Sequence, residues 1–207
     1  DRNAEKGWDY TNAAGAKVGA ARVRIESRIL WTEPVNADDF SFVDTLTSQT
    51  VKVTLPGPCV LHFFGGAGNI SKVVYDDLDL FWDDIVDAYH NELAALGEAG
   101  CEYVQLDETA LAKFSDPKIQ AALDARGDNW KDLLELYTGI VNRVIAGKPD
   151  DMCLGIHLCR GNKQSYWQAE GGYDVIAEKL FKKAKIGFYF LEYDSARAGG
   201  FEPLRVV

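Results

Sequence analysis

The residues best suited to chemistry are His157 and Cys159, two positions apart in Ile156-His157-Leu158-Cys159-Arg160-Gly161-Asn162. The chain holds only three histidines and four cysteines, so one of each at the end of an apolar run is informative. If that run is a β-strand, side chains at i and i+2 share a face, and imidazole and thiol project together. Both are zinc donors, and two ligands begin a site without completing one. The alternative is two buried core residues, because free Cys packs as a small hydrophobe. Glu192, ending "FYFLEYD", is a candidate third ligand or an ion-pair partner of Arg160 or Arg197. Asp107 and Glu108 end "EYVQLDE" and, being adjacent, point to opposite faces, so one can enter the site while the other meets a helix or loop. Cys153 is expected to lie deeper on the face of Cys159 as a core residue, and His62 and His90 are expected to be structural.

The elements that must position these groups follow from apolar periodicity. "ARVRIESRILW" (21–31) and "VKVTLPGPCVLHFF" (51–64) read as extended segments. Residues 102–108, 152–159 and 185–194 read as short, nearly continuous apolar strands, which suit a parallel sheet covered on both faces. Helical spacing relates Phe81, Ile85, Tyr89 and Leu93 within 79–96. A second helix is predicted over 128–146, with Asp128 as N-cap, and a third over 173–184, with lysines at its C-terminal end. Strand–helix alternation predicts an α/β fold with a parallel sheet. Polar residues gather where the strands end, which in a parallel barrel is the catalytic face, so a barrel is preferred to an open sheet. "GGAGN" (65–69) lacks the spacing of a dinucleotide fingerprint and reads as a flexible loop.

The bulk properties narrow the partners. The 207 residues are 47% apolar and 26% charged with a formal charge of −10, as expected of one domain spanning 1–207. That charge disfavours nucleic acid and acidic membrane surfaces as partners. No run of about 18 apolar residues exists, and no basic-then-apolar leader opens the chain. Four cysteines without a secretory segment suit a reducing, cytoplasmic setting.

At the level of longer motifs, "GCEYVQLDETAL", "HLCRGN", "WQAEGGYDVIAEKLF" and "FLEYDSARAGGFEPLR" resemble the catalytic barrel of the cobalamin-independent methionine synthase family, in particular its short single-barrel relatives. The likeness runs from about residue 20 to the end. It implies a (βα)8 TIM-type barrel and a zinc-dependent methyltransferase, moving a methyl group from a folate-type donor to the thiol of homocysteine. Homocysteine and methyl-folate are then the small-molecule partners. The resemblance puts zinc on His157, Cys159 and Glu192, with a fourth ligand, a Cys, expected beyond Val207. It gives Asp107, in a "DETA" similar to the family's "DEPA", the substrate amino group, with Glu108 beside it in the substrate site. Phe64 stands where the larger synthases carry a pteridine-stacking Trp, which leaves a corrinoid methyl donor or another thiol acceptor as alternatives. Arg197 and Arg205 are candidate clamps for a carboxylate or folate tail.

Under this resemblance the strands seen correspond to the third through the seventh of the barrel. Five strands do not close it, so an incomplete barrel with open edges is expected. Such a chain is a fragment, a protomer completed by self-association, or a non-catalytic remnant, and its zinc site is expected to be short of one ligand.

Overall fold

In a computed structural model, residues 9–19, 23–193 and 195–207 are described. The chain opens with an antiparallel hairpin, β1 (Tyr10–Thr11) and β2 (Lys17–Val18), and continues through α1 (Ala37–Asp44), β3 (Val53–Pro56), α2 (Val60–Phe63) and α3 (Leu78–Glu98). There follow β4 (Tyr103–Glu108), α4 (Pro117–Arg126), α5 (Trp130–Ala146), β5 (Cys153–Leu158), α6 (Ala177–Lys183) and β6 (Phe188–Leu191). The last four strands form one parallel sheet in the order β3-β4-β5-β6, so the fold is α/β.

Local chemistry explains where elements start and stop. Asp77 caps α3 by accepting from Asp79 N, and Asp116 caps α4 ahead of Pro117. Gly127, at φ +90°, ends α4 in the left-handed conformation that glycine adopts without cost. Asn129, not the expected Asp128, caps α5 by accepting from Lys131 N; Asp128 is held instead by the Arg126 guanidinium. The extended reading of 51–64 holds only over β3, because Pro56-Gly57-Pro58 interrupts the ladder and α2 follows. "GGAGN" is a short 3-10 turn over Gly66–Asn69 rather than an open loop. The helix expected over 173–184 is confined to α6, and the strand expected over 185–194 to β6; Asp194 lies outside the described residues.

Two larger expectations are corrected. Residues 23–31 form no strand and make a single parallel bridge, Ile25 to Ile70, while residues 21 and 22 lie outside the described set. The parallel sheet therefore has four strands among the described residues, not five. Nor, among the described residues, is it covered on both faces. Val53, Leu55, Val104, Leu106, Leu154, Ile156 and Leu158 are buried in one apolar cluster with Phe81, Ile85, Tyr137 and Val141 of the helices. The alternate residues Tyr103, Gln105, Asp107, His157, Phe188 and Phe190 are only half-buried, and Cys153 is exposed rather than core. The strands carry a period of two because only one face has a cover among the described residues. No described helix is long and apolar enough to cross a membrane.

His62 and His90 both join α-helical layers. His90 Nε2 lies 2.8 Å from Arg143 O, and His62 Nδ1 lies 2.7 Å from the Tyr137 hydroxyl, with its ring 5.2 Å from that of Trp82. Burial, reinforced by the Arg126 charge, pushes the His62 pKa down to about 4. A histidine with a depressed folded pKa stays neutral in the fold and takes a proton on unfolding, so stability falls as pH drops through the unfolded value toward the folded one. Between pH about 6.5 and 4 this single group should cost on the order of 3 kcal/mol. Denaturant titrations across that range should show a steep acid loss in the wild type and a shallower one in His62→Gln. Equal slopes would contradict this account.

Candidate metal centre

The register of the sheet builds the site. Asp107 on β4 is the direct cross-strand partner of His157 on β5, and His157 in turn pairs with Phe190 on β6. Equivalent positions in adjacent parallel strands point the same way, so Asp107 and His157 share the half-open face. Cys159 and Glu192 follow the ends of β5 and β6 at the same level. One ligand atom each from His157, Cys159 and Glu192 can be chosen so that all lie within 4.8 Å of one another. The imidazole stands between two carboxylates: Nδ1 is 2.5 Å from Asp107 Oδ1, and Nε2 is 3.3 Å from Glu192 Oε1.

This corner is braced from behind by a buried cation. The Arg160 side chain is 1% exposed; it donates to Gly171 O (2.7 Å), the Tyr173 hydroxyl (3.2 Å), Glu192 O (3.4 Å) and Ala198 O (3.3 Å). The Tyr173 hydroxyl also accepts from Glu192 N at 2.8 Å. The loop after β5 and the end of β6 are thereby fixed to one another. Arg160 is the ion-pair partner for Glu192 that the sequence offered as an alternative, at 3.9 Å from Oε2, and Glu192 still reaches His157 with its other oxygen.

Electrostatics follow the contacts. The hydrogen bond to Glu192 raises the His157 pKa, burial opposes it, and the bond and charge of Asp107 add to the rise. Glu192 is lowered in return, first by its bond to His157. Burial raises the Cys159 thiol, while the Gly161 N–H, 3.2 Å from Sγ, and the Lys113 charge favour the thiolate.

In front of the cluster lies a cavity of about 340 Å³ walled by Phe64, Asp107, Thr109, Lys113, His157 and Cys159, among others. Phe64, Asp107, His157, Cys159 and Glu192 are thus brought together. Arg197 is not beside them. It lines an adjoining cavity of about 810 Å³ that shares Gly161, Asn162 and Glu192 with the first. There its guanidinium lies 4.8 Å from the centre of the Trp167 ring. Arg205 is exposed in the terminal turn. Glu108 departs from its expected place in the substrate site. It is fully buried on the helix-facing side, where its carboxylate accepts from Ala110 N (2.7 Å) and Cys59 N (3.4 Å). Gly57 makes this possible: a Cβ there would come within 2.3 Å of Glu108 Oε2. Local sequence gives Lys113 no site role and offers Arg160 only as an ion-pair partner of Glu192. The available signal was a cation inside an otherwise apolar "TALAKF" and one following the His-x-Cys pair.

Comparison with known proteins gives this geometry a context. No protein-family model matches the chain. It is 38% identical over 205 residues to the uncharacterized protein YxjG of Bacillus subtilis (strain 168), covering 98% of this chain and 53% of that one. It is 25% identical over 167 residues to a methionine synthase of Pyrococcus furiosus, covering 80% of this chain and 39% of that one. A crystal structure of a candidate vitamin-B12-independent methionine synthase from Listeria monocytogenes matches with a TM-score of 0.65 at 31% identity, over 81% of this chain and 47% of that one. The chain is related to the cobalamin-independent methionine synthases. It spans about half the length of the relatives it matches. The methionine-synthase likeness read from the sequence motifs therefore agrees with sequence and structure matches that cover 80% and 81% of the chain. The imidazole, thiol and carboxylate at the strand ends are a donor set that suits zinc.

In the metal-free protein, NMR titration of the His157 ring should give a pKa above that of an ordinary histidine side chain. Asp107→Asn and Glu192→Gln should each lower it, since each removes a carboxylate that favours the imidazolium. An unshifted value in the wild type would contradict the two-sided contact.

Proposed function

We propose that this chain carries the metal-binding half of a zinc-dependent methyltransferase that moves a methyl group from a folate-type donor to the thiol of homocysteine, giving methionine. The observation that carries the reading is the convergence of His157, Cys159 and Glu192, with Asp107 bonded to the imidazole, at the C-terminal ends of adjacent parallel strands. That is the catalytic end of a parallel barrel. In this reading the four strands are consecutive members of a (βα)8 barrel, and the half-buried face would form its interior. The alternation of buried and half-buried residues supports that assignment.

His157, Cys159 and Glu192 would hold the zinc, with a further Cys beyond Val207 as the fourth ligand. When bound, zinc would keep a substrate thiol as its thiolate at neutral pH. Asp107 does two jobs. Through Oδ1 it orients the imidazole, as carboxylates behind metal-bound histidines do, and its other oxygen would be left for the substrate ammonium. Arg160 and Tyr173 keep Glu192 level with His157, so that the ligands are set before substrate arrives. Phe64 forms a wall of the cavity on which a flat donor can rest, and Arg197 beside Trp167 would meet its acidic tail in the adjoining cavity. Because Phe offers a smaller stacking face than Trp, a corrinoid methyl donor is the second reading.

Zinc content and methionine formation, measured together on wild type, His157→Ala and Cys159→Ser, test the proposal. With the strands and the fourth ligand that this reading places outside residues 1–207 present, wild type should hold zinc and transfer methyl from methyl-folate to homocysteine. Both variants should lose the metal, and their activity should fall by more than the roughly 10–100-fold typical of a residue that merely supports a ligand. Activity with methylcobalamin alone would favour the second reading. Equal trace metal in all three proteins would overturn the first.

A further inference from the structure

Lys113, whose charge favours the Cys159 thiolate, is itself a buried cation at the wall of the cavity. It lies in the 3-10 turn Leu111–Ser115, directly after β4, and forms part of the wall of the 340 Å³ cavity. The residue is 1% exposed. Its Nζ donates to Gln168 Oε1 at 2.6 Å and lies 5.4 and 4.8 Å from the ring centres of Phe63 and Phe64. Among the described residues no carboxylate comes within 4.0 Å of it. An ammonium has three protons to donate, and a buried charge is costly unless it is paired. One neutral amide and two ring faces leave this one short of an anion. Burial lowers its pKa to about 8, with the nearby Cys159, Glu108 and Asp107 opposing the fall, so it remains largely charged at neutral pH.

Asp107 and Lys113 thus present opposite charges to one small cavity, with the thiol-binding cluster beside them. A zwitterionic amino acid with a side-chain thiol offers the complement: ammonium, carboxylate and sulfur. We propose that Lys113 binds the α-carboxylate of the amino-acid substrate and so selects an amino acid over an uncharged thiol. This deepens the methyltransferase reading and rests on it for the identity of the acceptor.

The test is calorimetric binding of L-methionine and of L-methioninol, in which an alcohol replaces the carboxylate. The proteins compared are wild type, Lys113→Met and Lys113→Arg, with zinc content read on the same samples. Wild type should prefer methionine. Lys113→Met, compared in the zinc-loaded state, should bind methionine about 10-fold or more weakly with methioninol affinity unchanged, and Lys113→Arg should keep part of the preference. Retained methioninol binding shows that the variant is folded. Parallel loss of both ligands, or undiminished methionine binding, in Lys113→Met would overturn the proposal. The wild-type pair decides even without a folded variant, since equal affinity for the two ligands overturns it as well. A wild type that holds zinc and binds both ligands equally refutes the Lys113 assignment alone. A wild type without zinc refutes the reading beneath it.

Discussion

The pairing of β4 with β5 is the constraint on which the site depends. With Asp107 directly opposite His157, two short strands deliver a carboxylate and an imidazole to the same point, 2.5 Å apart. A one-residue slip would turn His157 into the helix-facing core and bring Leu158 into the site. The register is well determined, because Leu154, Ile156 and Leu158 on the other face are buried beside Val104 and Leu106. Below His157 on the site face, Gly155 makes room for the next strand: a Cβ there would lie 2.5 Å from the Phe188 ring. The apolar side of the sheet thus sets the alignment that the polar side uses.

That division of labour explains why adjacent residues have such different fates. Asp107 reaches the cavity, whereas Glu108 is buried and raised in pKa by that burial, its oxygens held by the Ala110 and Cys59 amides. It joins the end of β4 to the turn after β3. Arg160 has the corresponding role between β5 and β6, donating to the carbonyls of Gly171, Glu192 and Ala198. Two buried polar side chains, Glu108 and Arg160, therefore brace the strand ends, and the half-buried Asp107, His157 and Glu192 line the cavity.

Much of this was legible in the sequence. The i, i+2 spacing of His157 and Cys159, the end-of-strand position of Glu192 and the opposite facing of Asp107 and Glu108 all follow from the geometry of a strand. Other features depend on tertiary neighbours that no local pattern encodes. Apolar runs such as "MCLGIHLC" suggest cover on both faces, but Cys153 stands on the side that lacks one among the described residues. Asp128 and Asn129 are both good caps in isolation, and the choice falls to Asn129 because Arg126 engages Asp128. Lys113 is hidden from periodicity, since its burial arises where Phe63, Phe64 and Gln168 arrive from distant segments.

The central claim is that these strand ends form a zinc centre that takes up a substrate sulfur. Zinc K-edge X-ray absorption of the metal-loaded protein, recorded with and without homocysteine, tests it most directly. The account predicts a mixed shell containing sulfur from Cys159, with one more sulfur ligand when homocysteine is added. A shell of nitrogen and oxygen only, or one that homocysteine leaves unchanged, would contradict it.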